Sequence, residues 1–234
     1  MERLDKRPAA AGRWSRKEAK ELARAGRVAV NGVVCRSTEE KVAEDALVLV
    51  DGKPIGESGM VYLMLHKPGG VVSATEDARE KTVLDLFPAH YGKMGLFPVG
   101  RLDKDTEGLL ILTNDGPLAH RLLSPRYHVD KTYYLEVDGV LDSEDAAACQ
   151  AGITLADGYT CLPARLEVLG DGHSAHITIH EGKYHQVKRM MAARGKPVTY
   201  LKRISFGSIK LDETLDKGCW RVLTEEEKKE LFRQ

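Results

Sequence analysis

The chain has 234 residues, of which 42% are hydrophobic and 30% are charged. It is long enough for two domains with substantial cores and too apolar to be intrinsically disordered. The N-terminus is charged without an apolar signal segment, and no apolar run is long enough for a membrane span. The four cysteines are far apart without a CxxC pair. We therefore expect a cytoplasmic protein without a structural zinc site.

The equal numbers of acidic and basic residues conceal an uneven distribution. Residues 1–36 contain ten Lys or Arg against four acidic residues, a net charge of +6 that the rest of the chain cancels. This segment also contains a strong helix pattern. Ser15 and Glu18 form a capping box, and Ala19, Leu22 and Ala23 form one apolar stripe. A row of cations follows another face, which predicts either a solvated basic surface or a surface for a polyanion.

The helix is followed by a predicted hairpin with Asn31-Gly32 at its turn. Residues 4–32 together resemble the S4 RNA-binding domain. The resemblance implies that RNA is bound by the side chains of Arg16, Lys17, Lys20, Arg24, Arg27 and Asn31. The Arg7-Pro8 pair departs from the family pattern, because proline is unfavourable inside a helix. We therefore expect the helix around Arg7-Pro8, which precedes the Ser15-capped helix, to be short or loosely packed.

The remaining elements predict a second, larger domain. One more strand at residues 47–50 is followed by a Pro- and Gly-containing linker, so the domains are expected to span residues 1–59 and 60–234. Strands are predicted at residues 61–68, 96–100, 109–115, 131–139 and 203–211, with a hairpin at 162–182 that turns at Asp171-Gly172. One or two helical turns are expected at 82–88, and helices at 116–123, 184–194 and after Thr224. Hairpins interrupted by helices predict an α+β fold on a mixed, largely antiparallel sheet.

The acidic segment GRLDKDTEGLLILTNDG (residues 100–116) partly matches a calcium-binding loop. Asp103, Asp105 and Gly108 fit the first, third and sixth positions, but Asn114 stands where a bidentate glutamate is required, so calcium binding is disfavoured. Arg101 and Asp103 are expected to project to one side of an extended segment. Asp105 and Glu107 are expected to stay near solvent. The residues of this segment alone leave two possibilities for Asp103, which are a structural salt bridge and a catalytic carboxylate.

Five motifs in order resemble the pseudouridine synthases, specifically the branch named after RsuA. Besides residues 100–116, they occupy residues 63–75 (LMLHKPGGVVSAT), 130–139 (DKTYYLEVDG), 181–191 (EGKYHQVKRMM) and 201–211 (LKRISFGSIKL). With the S4-like segment, the resemblance covers nearly the whole chain. It implies isomerisation of a uridine in RNA through cleavage of its glycosidic bond, without a cofactor or a metal.

The resemblance also assigns roles to individual residues. Asp103 is implied as the catalytic carboxylate, Tyr133 as the active-site tyrosine and Lys188 as the basic partner of Asp103, with Arg189 as the second choice for that contact. Arg101 is implied to fill the space that the flipped base leaves. Asp105 and Glu107 become ordinary loop residues. The alternatives are a phosphate contact or an ion pair for Arg101, a position in the core for Tyr133 and an exposed position for Lys188.

Within this branch, the residues of the motifs and the compact length of the chain are similar to those of the enzyme that acts on small-subunit ribosomal RNA. The resemblance implies uridine 516 of 16S RNA as the target. The expected partner is that RNA or an assembly intermediate that contains it, and the expected form is a monomer. Three alternatives remain: a synthase acting on large-subunit 23S RNA, a non-catalytic assembly factor, and a glycosidase that uses Asp103 with Glu107.

Overall fold

The N-terminal part of the chain forms a helix packed on a small sheet. In the computed structural model, which describes residues 2–7, 14–43, 46–55, 60–88, 91 and 94–233, helix α1 spans Arg16–Arg24. The Ser15 hydroxyl accepts a hydrogen bond from the Glu18 amide, and the Glu18 carboxylate accepts one from the Ser15 amide. Ala19, Leu22 and Ala23 are buried, so the predicted cap and apolar stripe are both confirmed.

The small sheet follows the predicted hairpin. The strands of this part are β1 (Glu2–Arg3), β2 (Val28–Val30), β3 (Val33–Val34), β4 (Lys41–Val42), β5 (Val48–Val50) and β6 (Lys53–Pro54). The four strands of the small sheet run in the order β3-β2-β5-β6, and a separate pair joins β1 to β4. Asn31 and Gly32 both have positive φ, 48° and 85°, as a tight hairpin turn requires.

Two expectations for this part fall outside the described residues. They are the effect of Pro8 on the helix expected around Arg7-Pro8 and most of the predicted linker, at residues 56–59. Pro54, which the linker prediction included, lies in a strand that spans Lys53–Pro54 instead. Leu47 and Leu49 belong to the same apolar cluster as Val61 and Leu63. The division at residue 59 stays a proposal, and these contacts show that residues on either side of it share a core.

The larger sheet has nine strands among the described residues and confirms the mixed, largely antiparallel prediction. The strands are β7 (Tyr62–Lys67), β8 (Phe97–Pro98), β9 (Glu107–Thr113), β10 (Lys131–Val137), β11 (Arg165–Leu169), β12 (Ser174–Ile179), β13 (Val198–Phe206), β14 (Ile209–Lys210) and β15 (Trp220–Val222). They run in the order β11-β12-β10-β13-β9-β7-β15, with β14 added to β13 and β8 added to β9. Only β9 and β13 pair in parallel among these strands.

The described helices that flank this sheet are short. They are α2 (Gly116–Leu123), α3 (Ser143–Ala151), α4 (Gln186–Ala193) and α5 (Glu225–Arg233), with 3-10 turns at Val83–Leu86 and Pro125–Tyr127. Helix α3 was not expected, because its buried residues are Asp145 and Cys149 and it has no apolar stripe. Strand β15 was also missed, since three residues are too few for a periodic pattern.

Two predicted elements differ from the structure. Residues 203–211 form two strands rather than one, because the chain reverses at Gly207, which has a φ of 56°. Helix α4 begins at Gln186, two residues later than expected, because His185 has a φ of 47° and cannot continue a right-handed helix. None of the described helices is both long and apolar enough to cross a membrane.

Candidate active site

A cavity of about 530 Å³ opens where the loop of residues 100–106 meets one face of the large sheet. The loop contributes Arg101 and Asp103, β10 contributes Lys131 and Tyr133, and β13 contributes Arg203. Pockets of this size are typical of small-molecule and nucleotide sites. The sheet therefore provides a rigid wall opposite a loop that carries a carboxylate.

Backbone contacts hold that loop in place. The Ser73 hydroxyl donates to the Leu102 carbonyl at 2.9 Å and accepts from the Leu102 amide at 3.1 Å. The buried ammonium group of Lys67 donates to the carbonyl oxygens of Pro68, Lys104 and Thr106 at 3.0, 3.2 and 2.9 Å. Burial lowers the pKa of Lys67 to about 8, although neighbouring carboxylates oppose that shift. The loop is thus fixed on both sides of Asp103.

Two basic side chains face Asp103. The Lys188 ammonium lies 3.1 Å from Asp103 Oδ2, and His185 Nε2 lies 3.5 Å from Asp103 Oδ1. Lys188 also lies 2.5 Å from Asp105 Oδ1. Burial disfavours the charged form of Lys188, but its hydrogen bonds to Asp105 and Asp103 prevail and raise its pKa. The hydrogen bond from Lys188 in turn lowers the pKa of Asp105.

Tyr133 lies on the wall of the cavity. Its side chain is only 8% exposed and shares the inward face of β10 with Leu135 and Val137. Tyr134 points to the other face, where its hydroxyl donates to Glu136 at 2.9 Å. Arg101 is exposed at the cavity and makes no ion pair among the described residues. The structure therefore brings Arg101, Asp103 and Tyr133 to one cavity, with Lys188 behind Asp103.

Two expectations about this region are wrong. Glu107 is not a solvated loop residue, because its side chain is 14% exposed, accepts from the Tyr200 hydroxyl at 2.7 Å and pairs with Lys217 at 2.7 Å. Burial opposes the ionised form of Glu107, but the bonds from Lys217 and Tyr200 prevail and lower its pKa. Arg189 is not a partner of Asp103. It lies one position further around α4 and pairs with Asp157 at 2.5 Å.

The predicted RNA-binding residues separate into two groups. Arg16, Lys17 and Arg24 are exposed on α1, and Lys20 beside them is half-buried. Arg27 is already paired with Asp51, with its Nε donating at 2.6 Å. The Asn31 amide oxygen accepts a hydrogen bond from the Leu47 amide at 2.9 Å, so that oxygen serves the fold.

Sequence patterns did not single out several ionisable cavity residues, among them Lys131, His185 and Arg203. Lys131 could have been found, because it is two residues before Tyr133 and side chains alternate along a strand. His185 and Arg203 gave no such signal. The left-handed backbone of His185 and the strand pairing of Arg203 are visible only in the folded chain.

The acidic loop is built to present one carboxylate. Asp103 and Asp105 share the Lys188 ammonium, while Glu107 is directed to Tyr200 and Lys217, so the three carboxylates do not converge. No group of three potential ligand side chains for a metal occurs in the described part of the chain. A carboxylate beside a tyrosine ring in a cavity can stabilise a cationic sugar carbon while the ring stacks on a base.

Comparison with known proteins agrees with this geometry. The family model for RNA pseudouridylate synthase matches residues 61–193, and the model for the S4 domain matches residues 2–48. A crystal structure of a pseudouridylate synthase is 37% identical, with a TM-score of 0.69 over 99% of this chain and 100% of that chain.

Several curated relatives cover 96% or more of this chain. An uncharacterized RNA pseudouridine synthase of Bacillus subtilis is 47% identical over 96% of each chain. The ribosomal small subunit pseudouridine synthase A of Vibrio cholerae is 43% identical over 96% of this chain and 97% of its own. The ribosomal large subunit pseudouridine synthase B of Bacillus subtilis is 39% identical over 99% of this chain and 96% of its own. Together with the family models, these similarities show that the chain belongs to the RNA pseudouridylate synthase family and carries an S4 domain in its N-terminal part.

Proposed function

We propose that this pseudouridine synthase isomerises one uridine of small-subunit ribosomal RNA, with Asp103 as its catalytic carboxylate. The observation that carries the proposal is the placement of Asp103. Its carboxylate lines a cavity, lies 3.1 Å from the Lys188 ammonium and faces the wall that holds Tyr133. A carboxylate held by a cation in a partly desolvated site is positioned to stabilise a cationic carbon.

The reaction needs no atom from outside the nucleotide. The C1′–N1 bond breaks, the uracil keeps the bonding electrons, and Asp103 stabilises or captures the electron-poor C1′. The uracil then turns and C5 bonds to C1′, which releases the Asp103 carboxylate where it had bonded to C1′. C5 then loses a proton and N1 gains one. In this proposal Tyr133 stacks on the uracil during the turn and assists removal of the C5 proton. Lys188 holds the Asp103 carboxylate in position.

The uridine must leave its stack in folded RNA before it can enter the cavity. Arg101 is exposed at the cavity and is proposed to fill the space that the base leaves. The cations of α1 are proposed to contact the phosphate backbone away from the reacting nucleotide. A single chain supplies Arg101, Asp103, Tyr133 and Lys188, and we therefore propose that the enzyme acts as a monomer.

The choice of small-subunit RNA rests on the relatives. The Vibrio cholerae relative named for the small subunit is more similar than the Bacillus subtilis relative named for the large subunit, at 43% against 39% identity. Large-subunit RNA is therefore the second candidate. Both relatives match nearly the whole chain, so the extent of the match does not separate them.

Site-resolved mapping of pseudouridine in ribosomal RNA tests the proposal. Cells that lack the gene should lose one pseudouridine in the small-subunit RNA, and uridine 516 of the 16S RNA is the first position to examine. The wild-type gene should restore that pseudouridine, and a gene encoding Asp103→Asn should not. Loss of a large-subunit pseudouridine instead would establish the second candidate.

A further inference from the structure

A β-bulge turns a buried arginine toward the cavity. Along β10 and β13, Thr132 pairs with Ser205, but the next pair is Tyr133 with Arg203, so Ile204 is left as the extra residue. Residues directly opposite each other in an antiparallel pair share one face of the sheet. Arg203 therefore lies on the Tyr133 face, and both side chains line the cavity.

Lys131 joins them on the same face. It precedes Tyr133 by two residues and pairs with Phe206, which also lines the cavity. The Lys131 ammonium lies 5.5 Å from the centre of the Phe206 ring, and the Arg203 guanidinium lies 5.2 Å from it. Two cations thus flank one aromatic ring on the wall of the cavity.

Neither cation is neutralised by a carboxylate within the described residues. Lys131 donates to the Val129 carbonyl at 2.7 Å, and Arg203 Nε donates to the Leu109 carbonyl at 2.8 Å. Arg203 is 2% exposed, and its Nη2 atom is buried without a hydrogen-bond partner. Asp130 is an acidic neighbour that acts on Lys131, but its carboxylate contacts His180 at 2.6 Å.

This arrangement is electrostatically unfavourable in the free protein. Burial, followed by repulsion from Arg203, lowers the pKa of Lys131 to about 8, although Asp130 opposes the shift. The backbone also fixes Arg203. Gly108 pairs with it on the parallel strand β9, and a Cβ at Gly108 would collide with the Arg203 carbonyl oxygen. Buried cations without partners are costly unless a ligand supplies the opposite charge.

We propose that Lys131 and Arg203 form a subsite for a phosphodiester group of the nucleotide that enters the cavity. The proposal rests on the proposed function, since a uridine flipped from RNA carries a phosphodiester on each side. Asp103 repels these groups, and a cationic wall within the same cavity offsets that repulsion. Charge-assisted hydrogen bonds from lysine and arginine to phosphate are among the strong ones in proteins.

RNA with a single neutral linkage tests the subsite. The phosphodiesters on the 5′ and 3′ sides of the target uridine are replaced in turn by an uncharged methylphosphonate, and RNA affinity is measured for the full chain. For the wild-type protein, we expect one of the two replacements to weaken binding by about tenfold, as loss of a charged hydrogen bond would. For Lys131→Met, the same replacement should change affinity by less than about twofold, because the cation is absent.

Two further variants separate charge from structure. Lys131→Arg keeps the cation and should keep the sensitivity to the replaced phosphodiester. Lys202→Met is the control for a neighbouring lysine. Lys202 pairs with Tyr134 and lies on the other face of the sheet, so this variant should behave as wild type. If both neutral linkages affect wild type and Lys131→Met equally, the subsite proposal is overturned. Turnover of the unmodified RNA by the wild-type protein is scored separately, and its absence would count against the proposed function whatever the affinities show.

Discussion

The ammonium group of Lys188 lies 3.1 Å from the carboxylate of Asp103 and joins helix α4 to the loop that enters the cavity. The same ammonium group contacts Asp105, so one cation serves two carboxylates of that loop. The Asp105 side chain is mostly exposed, whereas that of Asp103 is 26% exposed. The contact between Lys188 and Asp103 is therefore less screened by solvent than the contact between Lys188 and Asp105. We expect the Asp103 contact to matter more for the reaction.

Asp103→Asn should abolish isomerisation. The amide keeps the size and hydrogen bonding of the carboxylate but cannot stabilise or capture an electron-poor C1′, so we expect turnover to fall by roughly four or more orders of magnitude. RNA affinity should be retained or rise slightly, because one negative charge near phosphate is removed. Asp105→Asn is the matched control and should lower turnover only a few-fold. Pseudouridine formed in a single turnover is the measurement, and near-normal turnover by Asp103→Asn would refute the assignment.

Lys188→Met should lower turnover by about 100-fold, because Asp103 loses the cation that positions it. RNA affinity should change much less, since Lys188 does not line the cavity. Lys188→Arg should recover part of the turnover. Arg189→Met is the neighbouring control, because Arg189 pairs with Asp157 instead of Asp103. Equal losses in Lys188→Met and Arg189→Met would attribute the effect to helix α4 as a whole.

The combined substitution of Arg16, Lys20 and Arg24 by glutamine should weaken RNA binding and its salt dependence. Each lost phosphate contact lowers the slope of log affinity against log salt by about 0.7 on single strands and about 0.9 on duplex. The slope should therefore fall by roughly 2 to 3, with turnover at saturating RNA unchanged. Arg27→Gln should alter the slope less, because Arg27 is paired with Asp51. An unchanged slope in the triple variant would exclude α1 as the RNA contact.

Substitution is a better test of this segment than deletion. Leu47 and Leu49 pack in one cluster with Val61 and Leu63, so removal of residues 1–59 would expose apolar surface of the larger domain. A truncated protein that lost RNA affinity could not distinguish a missing contact from a damaged core. The glutamine variants leave that cluster unchanged.

Asp145→Asn should destabilise the fold without a direct effect on the reaction. The Asp145 side chain is 0% exposed and pairs with Arg194 at 2.9 Å and with Lys196, which ties α3 to the end of α4. Removal of one partner from a buried ion pair costs about 3 to 5 kcal/mol in the free energy of unfolding. Chemical denaturation measures that loss. Asp138→Asn, an exposed position, is the control and should stay within about 0.5 kcal/mol.

The stability supplied by Asp145 should also depend on pH. Burial opposes its ionisation, but the hydrogen bonds from Lys196 and Arg194 prevail and hold its pKa below 3.8. Since the folded state favours the ionised form, this contribution is present above pH 3.8 and is lost as the pH falls through the folded pKa. The difference in unfolding free energy between wild type and Asp145→Asn should therefore shrink in acid. A difference that grew below that pH would contradict the assignment.

Local sequence patterns predicted the elements that depend on contacts between residues close together in the sequence. The Ser15 and Glu18 cap, the Asn31-Gly32 turn and the alternation around Tyr133 each involve residues within a few positions of one another. Such patterns fail where they are absent or very short, as for α3 and β15. The proposed catalytic role of Asp103 rests on the motifs around it, since its spacing alone fitted a salt bridge equally well.

Tertiary structure decided which side chains meet. Glu107 is 93 residues from Tyr200, yet the parallel pairing of β9 with β13 brings their side chains together and buries a carboxylate that the loop sequence placed in solvent. One extra residue in β13 sets Arg203 opposite Tyr133, and a left-handed His185 sets where α4 begins and therefore which of its cations faces Asp103. Strand order and register depend on the packing of the whole sheet, so no short window of sequence contains these contacts.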